Sequence, residues 1–310
     1  MQNWLYCWFG GDVSQLLHDG HASMDDSINR RRRQCVGAGV CWWDRLGGIM
    51  LVEQTLFGVT DKVKEAVNIL QKYEPLEGYY LAFSGGKDSL CCYYLCKIAG
   101  VKFDAHYNFT TVDPPELIEF VRTFDDVIIE HPGADKTMWN LIIKHGIPPV
   151  RKIRYCCKEL KESKAAGRLK VLGVREEESS KRKGRAVVEF GSPIGDAINI
   201  IYHWSEAEVW EFIGCNLIDY CSLYDEGFSR LGCVGCPIGG AKKMLREFER
   251  WPLYKKAYLR AFEKMLEERA YREKEMSWKT AEDVFNWWVY GSGQKVDDRQ
   301  LSLWKGGENE

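Results

Sequence analysis

The hexapeptide Ser84-Gly85-Gly86-Lys87-Asp88-Ser89 constrains this 310-residue chain more than any other stretch. Gly78–Phe83 runs into it as a short aromatic and aliphatic segment that reads as a buried strand. Leu90–Cys96 runs out of it as an apolar, helix-length segment that stops near Gly100. Strand, glycine turn and helix start, in that order, make an anion site. Adjacent glycines let backbone N–H groups approach a phosphate, and the helix N-terminus adds its dipole. Lys87 adds a mobile positive charge, and Ser84 and Ser89 add hydroxyls. The spacing is not G-x-x-x-x-G-K-[ST], because the glycines are adjacent and the lysine is followed by aspartate. The alternative is an ordinary glycine turn that packs a helix.

Around this loop the pattern alternates. Thr60 reads as the N-cap of a helix ending near Tyr73, with Val63, Ala66, Val67 and Leu70 on one face. Val101–Tyr107 and Val127–Glu130 read as strands, separated by a helix opened by Pro114-Pro115-Glu116. Thr137–His145 reads as a helix closed by Gly146 and the Ile147-Pro148-Pro149 break. Arg168–Val174 reads as a fourth strand. Strands alternating with helices predict an α/β fold with a doubly wound parallel sheet. Ligands of such sheets bind at the carboxyl ends of the strands, so Ser84, Thr110–Asp113 and Arg175 are expected to converge. From Ser205 onward the pattern is mainly helical, with segments at 208–213, 242–274 and 281–290.

The expected organisation is an irregular extension over 1–49, a nucleotide-binding α/β domain over 50–204, a helical region carrying the second cysteine pair over 205–290, and a polar tail over 291–310. The first stretch holds Arg30–Arg33 and sustains no helix or strand period, so Met50 is the expected natural start. The other reading makes it a partner-binding arm.

Net charge is −2, but its distribution is uneven. Arg151–Arg185 carries 13 Lys/Arg against 5 Asp/Glu, and Asp104–Asp135 carries 8 Asp/Glu against one Arg. A basic segment after a phosphate loop suits a nucleotide or nucleic acid, or else forms a solvated helix face. No apolar run approaches the roughly 20 residues that span a bilayer. The N-terminus lacks the pattern of a secretory signal, so a cytoplasmic chain is expected. Twelve cysteines then point to metal or redox chemistry rather than to disulfides.

Cys156-Cys157 and Cys233-x-x-Cys236 stand 75 residues apart. Four thiolates in two close pairs match tetrahedral zinc or a four-iron, four-sulfur cluster. Adjacent cysteines point apart, which suits separate irons better than one zinc, and Pro237 follows the last of them. Arg154, Lys158 and Lys161 would help keep thiolates deprotonated. Cys91, Cys92, Cys96, Cys215 and Cys221 sit in apolar runs and read as structural thiols.

SGGKDS resembles the PP-loop of the ATP pyrophosphatase (adenine nucleotide alpha hydrolase-like) superfamily. The order CC-x-x-x-K, long gap, C-x-x-C resembles the [4Fe–4S] motif of the adenylylsulfate reductases, within the phosphoadenosine phosphosulfate (PAPS) reductase family. Leu172–Ser179, Trp204–Trp210 and Tyr224–Cys233 are similar to that family too, so the likeness covers roughly residues 60–290. It implies that Ser84, Gly85, Gly86, Lys87, Asp88 and Ser89 hold phosphate and that Arg175 meets the anionic end of the ligand. It implies that Cys156, Cys157, Cys233 and Cys236 bind the cluster. Two departures favour ATP with Mg²⁺ over adenylylsulfate or PAPS. The loop is intact where sulfonucleotide reductases typically carry a degraded one, and no cysteine follows Cys236 to act as the thiol nucleophile.

The resulting expectation is cleavage of ATP to AMP and pyrophosphate, adenylating an acceptor for sulfur transfer. Lys87 would stabilise the leaving group, and Asp88 or Asp113 would bind Mg²⁺ or else cap helices. The implied partners are tRNA or DNA and a sulfur donor such as a cysteine desulfurase. A sulfonucleotide reductase using thioredoxin, and a non-catalytic scaffold with a structural cluster, are the alternatives. His106, His131 and His145 read as structural before acid–base groups.

Overall fold

A computed structural model of the chain describes residues 51–291, apart from 56–57, 163–164, 166, 180–181, 193–194 and 274–276. The expectations for residues 1–49 and for the tail beyond Gly291 lie outside the described residues.

The described residues open on an antiparallel hairpin, β1 (Val52–Thr55) with β2 (Gly58–Asp61), and enter α1 (Lys62–Lys72). The N-cap of α1 is Asp61, not the predicted Thr60, which lies in β2. The Asp61 carboxylate accepts from the amides of Val63 and Lys64 at 3.0 and 3.3 Å. A carboxylate satisfies the orphan amides and opposes the helix dipole at once, which a threonine hydroxyl does not. Next come β3 (Tyr79–Ala82) and α2 (Lys87–Ala99), closed by Gly100 in the left-handed conformation at φ 66°. Then follow β4 (Phe103–Asn108), α3 (Pro115–Val121), β5 (Val127–Glu130) and α4 (Met138–His145). As predicted, Thr137 caps α4 by accepting from the Asn140 amide, and Gly146 ends it at φ 65°.

The predicted fourth strand shrinks to β6 (Lys170–Val171). Arg168 is spent on side-chain bonds to the carbonyls of Gly78 and Tyr79 and on an ion pair with Asp104. Beyond Leu172 the chain turns toward α2. Two further short strands, β7 (Val188–Glu189) and β8 (Ala197–Ile198), precede α5 (Glu206–Cys215). A reciprocal Ser205–Glu208 capping box opens α5. The predicted helix over 242–274 is two helices, α6 (Ala241–Arg250) and α7 (Pro252–Tyr271), because Pro252 starts a new helix at its first position. The last helix is α8 (Ala281–Asn286), extended by a wide turn over Trp287–Gly291.

Six strands form one sheet in the order β5-β4-β3-β6-β8-β7. The pairs β3–β4, β3–β6 and β6–β8 are parallel, and β7 joins antiparallel at the edge. This is a mostly parallel α/β sheet followed by a helical C-terminal region, as the alternation predicts.

The chain forms two compact units that interleave along the sequence. The first comprises residues up to Tyr107, Glu116–Ile129 and Ala165–Leu231. It holds the sheet but for the last residues of β4 and β5. Its helix α2 packs on α1 and α5, with Leu90, Cys91, Cys92, Leu95 and Cys96 fully buried. The second comprises Asn108–Pro115, Glu130–Lys164 and Gly232 onward. Its core is aromatic: Trp288 packs against Phe248, Tyr258, Phe262 and Phe285, and its indole N–H donates to the Pro149 carbonyl at 2.7 Å.

Candidate functional site

In the first unit the loop Ser84–Ser89 joins β3 to α2. Gly85 sits at φ 69°, and a Cβ there would stand 2.7 Å from Leu117 Cδ1 and 2.9 Å from Val121 Cγ2. Only glycine fits such a position. Gly86 is the N-cap of α2 and offers no side-chain cap, and the first amide of the helix, that of Lys87, donates instead to the Tyr224 hydroxyl at 2.8 Å. The two serines lace the turn. The Ser84 amide donates to Ser89 Oγ at 3.1 Å, Ser89 Oγ donates to the Gly86 carbonyl at 2.9 Å, and the two hydroxyls stand 3.0 Å apart.

The charges at the helix start are paired. Lys87 is 4% exposed, and its ammonium donates to the Ser229 carbonyl at 3.2 Å. It lies 3.3 Å from Glu206 Oε1 and 3.6 Å from Asp88 Oδ2. Asp88 accepts from Arg175 Nε at 2.6 Å, and Arg175, also 4% exposed, donates from Nη1 to Glu177 at 2.7 Å. Glu177 in turn accepts from the Glu206 amide at 2.8 Å. Two buried cations and three carboxylates thus form one chain of contacts at the N-terminus of α2. Gly173 makes this approach possible: a Cβ there would stand 2.9 Å from the Asp88 carbonyl carbon and 3.0 Å from the Ser89 amide.

In the second unit Cys156 and Cys157 share the single helical turn Tyr155–Cys157, and Cys233 and Cys236 flank the turn at Gly235. The Cys156 thiol is in electrostatic reach of the other three, and Cys233 of Cys236. The Cys156 thiol is held far above its ordinary range by its hydrogen bond with Cys157, then by burial, then by the charges of Cys157, Cys233 and Cys236. Burial pushes Cys233 up to about 11, against the pull of the Lys161 ammonium. Lys161 is itself raised, first by Cys233 and further by Asp113, Cys157 and Cys236, despite its own desolvation. Cys233 also donates to Thr110 Oγ1 at 3.4 Å.

The C-x-x-C turn is tightly held. Gly235 sits at φ 75° with Phe248 and Trp288 atoms 2.7 and 3.0 Å from where a Cβ would be. Its amide donates to the buried Glu247 carboxylate at 2.8 Å. The Val234 amide donates to the Val112 carbonyl at 2.8 Å, and Arg151 donates to the carbonyls of Pro237 and Ile238. Thr110–Asp113 therefore belongs with the cysteines. The Asp113 carboxylate accepts from the Thr110 amide at 2.6 Å, and Thr111 adopts the left-handed conformation at φ 67°. Ser84 and Arg175 lie in the first unit and Thr110–Asp113 in the second. Among the described residues no three His, Cys, Asp or Glu side chains form a group able to hold a single metal ion.

Among the other described cysteines, Cys91, Cys92, Cys96 and Cys221 are buried. Cys91 and Cys92 are raised by burial, Cys96 is pushed up to about 12, and Cys91 donates to the Val209 carbonyl at 3.7 Å. The histidines are engaged too: His106 stacks on Tyr80, His131 packs against Phe109, and His145 lies 2.7 Å from Glu159.

Residues 78–238 match the phosphoadenosine phosphosulfate reductase domain, a span that includes the loop and all four clustered cysteines. The chain belongs to this family. An uncharacterized protein of Methanocaldococcus jannaschii is 31% identical over 55% of this chain and 40% of its own length. The adenosine 5'-phosphosulfate reductase of Allochromatium vinosum is 31% identical over 39% of this chain and 52% of its own. A probable FAD synthase of Schizosaccharomyces pombe is 29% identical over 58% of this chain and 69% of its own. The chain thus spans about two fifths of the first of these relatives and about half of the second. Among the described residues no helix is long and apolar enough to cross a membrane.

Sequence reasoning missed Tyr224, Glu206, Glu177 and Gly173 as neighbours of the loop, and Thr110 as a neighbour of Cys233. Gly173 alone left a local signal, a glycine two residues beyond the end of β6. The others reach their partners across long separations, 137 residues for Tyr224 and Lys87.

Proposed function

We propose that this family member binds ATP on Ser84–Ser89 and transfers the adenylyl group to an acceptor with release of pyrophosphate. The observation that carries the reading is the complete loop: Gly85 and Gly86 keep the backbone open, two serines stiffen it, and the Lys87 ammonium stands at the head of α2. Relatives named as an adenosine 5'-phosphosulfate reductase and a FAD synthase support an adenine nucleotide as ligand.

In the proposed step a nucleophilic atom of the acceptor bonds to the α-phosphorus, and the bond from that phosphorus to the bridging oxygen breaks. Pyrophosphate leaves with the electron pair, and the acceptor proton passes to solvent. The loop amides and the hydroxyls of Ser84 and Ser89 hold phosphate oxygens, and Lys87 offsets the charge that grows on the leaving group. Arg175, oriented by Asp88 and Glu177, meets the anionic end of the ligand. Asp88 is the proposed carboxylate for Mg²⁺, which when bound supplies charge neutralisation between phosphates. Cys156, Cys157, Cys233 and Cys236 are the proposed holders of a [4Fe–4S] cluster, which supplies iron–sulfur chemistry for a sulfur-transfer step. An all-sulfur donor set of two adjacent cysteines and a C-x-x-C pair supports a cluster, whose separate irons suit side chains that point apart. An adenylated nucleic acid or nucleotide would then be open to a sulfur nucleophile that displaces AMP.

The test is anaerobic incubation of the full chain with Mg²⁺ and ATP labelled in the α-phosphate, with labelled AMP as the expected product. A second reading, a sulfonucleotide reductase, is favoured by the 31% identity to an adenosine 5'-phosphosulfate reductase. Thioredoxin-dependent sulfite release without ATP cleavage would replace the first reading by the second.

A further inference from the structure

Two donors at the head of α2, the Lys87 amide and ammonium, already have acceptors, and one of those acceptors stands where a phosphate oxygen belongs. The Lys87 amide, the first N–H of α2, donates to the Tyr224 hydroxyl at 2.8 Å. A Cβ on Gly86 would stand 3.4 Å from both Ser84 Oγ and Tyr224 Oη, so the phenol oxygen lies over the open N-cap itself. The Lys87 ammonium stands 5.9 Å from the centre of the Tyr224 ring and donates to the Ser229 carbonyl. One short segment, Ser222–Ser229, therefore takes both the first amide and the ammonium.

The segment is built to hold that place and to leave it. It starts as a single turn of 3-10 helix over Ser222–Tyr224 and bends at Gly227, φ 83°. The Tyr224 ring is kept upright by Trp210, whose centroid is 5.0 Å away at 87°, and by Tyr220 at 6.2 Å. Burial drives the phenol well above its ordinary range, so at neutral pH the acceptor is uncharged. An amide bond to an uncharged hydroxyl is roughly half as strong as one to an anionic oxygen. Exchange of the phenol for a phosphate oxygen is therefore downhill at this amide.

We propose that Tyr224 is a displaceable cap of the phosphate loop: its hydroxyl holds the place of a ligand phosphate oxygen on the Lys87 amide, and ligand binding lifts Ser222–Ser229 from the head of α2. The proposal rests on the reading of Ser84–Ser89 as a phosphate site.

Titration calorimetry with pyrophosphate on the wild-type chain and on Tyr224→Phe tests it. The phenylalanine keeps the ring packing and removes only the competing oxygen. Its dissociation constant should fall roughly three- to tenfold, in line with release of one hydrogen bond. An unchanged or weaker constant in Tyr224→Phe, with wild-type binding intact, overturns the cap alone. Absence of binding in both chains overturns the cap and the loop reading together. A second measurement needs no substitution at Tyr224. Pyrophosphate should change the tryptophan fluorescence of the wild type, and Trp210→Phe should abolish that change. A wild-type spectrum that stays constant at saturating pyrophosphate contradicts the movement.

Discussion

The loop of the first unit and the thiol group of the second are built on opposite plans. The loop is six consecutive residues whose geometry is backbone, and each charge at it meets an opposite one: Lys87 and Arg175 against Asp88, Glu177 and Glu206. The thiol group joins two segments of its unit that are far apart in sequence, and its groups oppose one another. Cys156 is raised by its three companions, and Lys161 is the cation that Cys233 and Cys236 share. A matched site is complete as it stands and exchanges one acceptor for another on binding. An unmatched group of thiols gains most when protons leave and a cation arrives. The proposed roles, reversible phosphate binding in one and permanent cluster binding in the other, follow from that difference.

The largest effect is expected where the matched site loses its cation. Lys87→Ala should lower the rate of ATP cleavage by roughly 10² to 10³, the usual consequence of deleting one preorganised electrostatic stabiliser. A rate within a factor of three of wild type would place the charge stabilisation elsewhere. On the other side of the comparison, Cys233→Ser should abolish the brown colour near ~400 nm expected of thiolate-bound iron. Iron analysis should then find less than a quarter of the wild-type content, and full retention would remove Cys233 from the ligand set.

Glycine substitutions probe how rigidly each plan is built. Gly173→Ala would press a methyl group into the Asp88 backbone, and Gly235→Ala would press one into Phe248 and Trp288 at a positive φ. Each should cost about 1–3 kcal/mol of unfolding free energy, read from the urea midpoint. A cost below about 0.5 kcal/mol would mean that the neighbouring backbone or rings shift freely. The last effect, absent at neutral pH, concerns the thiols outside the group. Burial pushes Cys221 up to about 11 and Cys96 up to about 12, from an ordinary 9.0. Above pH 9 the unfolded chain releases thiol protons that the folded chain keeps, so the unfolded state binds fewer protons and stability falls with pH. The urea midpoint should be flat between pH 7 and 8 and drop between pH 9 and 11. A rise over that upper window would reverse the sign assigned to these buried thiols.

Contiguity decided what could be read from the sequence. The strand, loop and helix from Tyr79 to Gly100 lie in one stretch, and each signal is local: aromatic run, paired glycines, apolar run, glycine stop. The α4 helix was legible for the same reason, between Thr137 and Gly146. The start of α1 was misplaced by one residue because Thr60 and Asp61 are both cap formers and only tertiary placement chooses between them. The long fourth strand failed because Arg168 bonds sideways to the β3 carbonyls, a contact no periodicity records. The break between α6 and α7 was written in Pro252 and passed over in an otherwise helical run. The partners of Lys87 were out of reach, since Glu206, Tyr224 and Ser229 approach it only through the packing of α5 and the segment beyond it.

The most direct measurement uses the wild-type chain, Mg²⁺ and ATP labelled in the γ-phosphate, with the acidic products separated. Adenylyl transfer predicts that the label appears in pyrophosphate, in amounts equal to the AMP or adenylated acceptor formed. Label in orthophosphate with matching ADP would mean cleavage at the γ-phosphate and would contradict the function proposed for Ser84–Ser89.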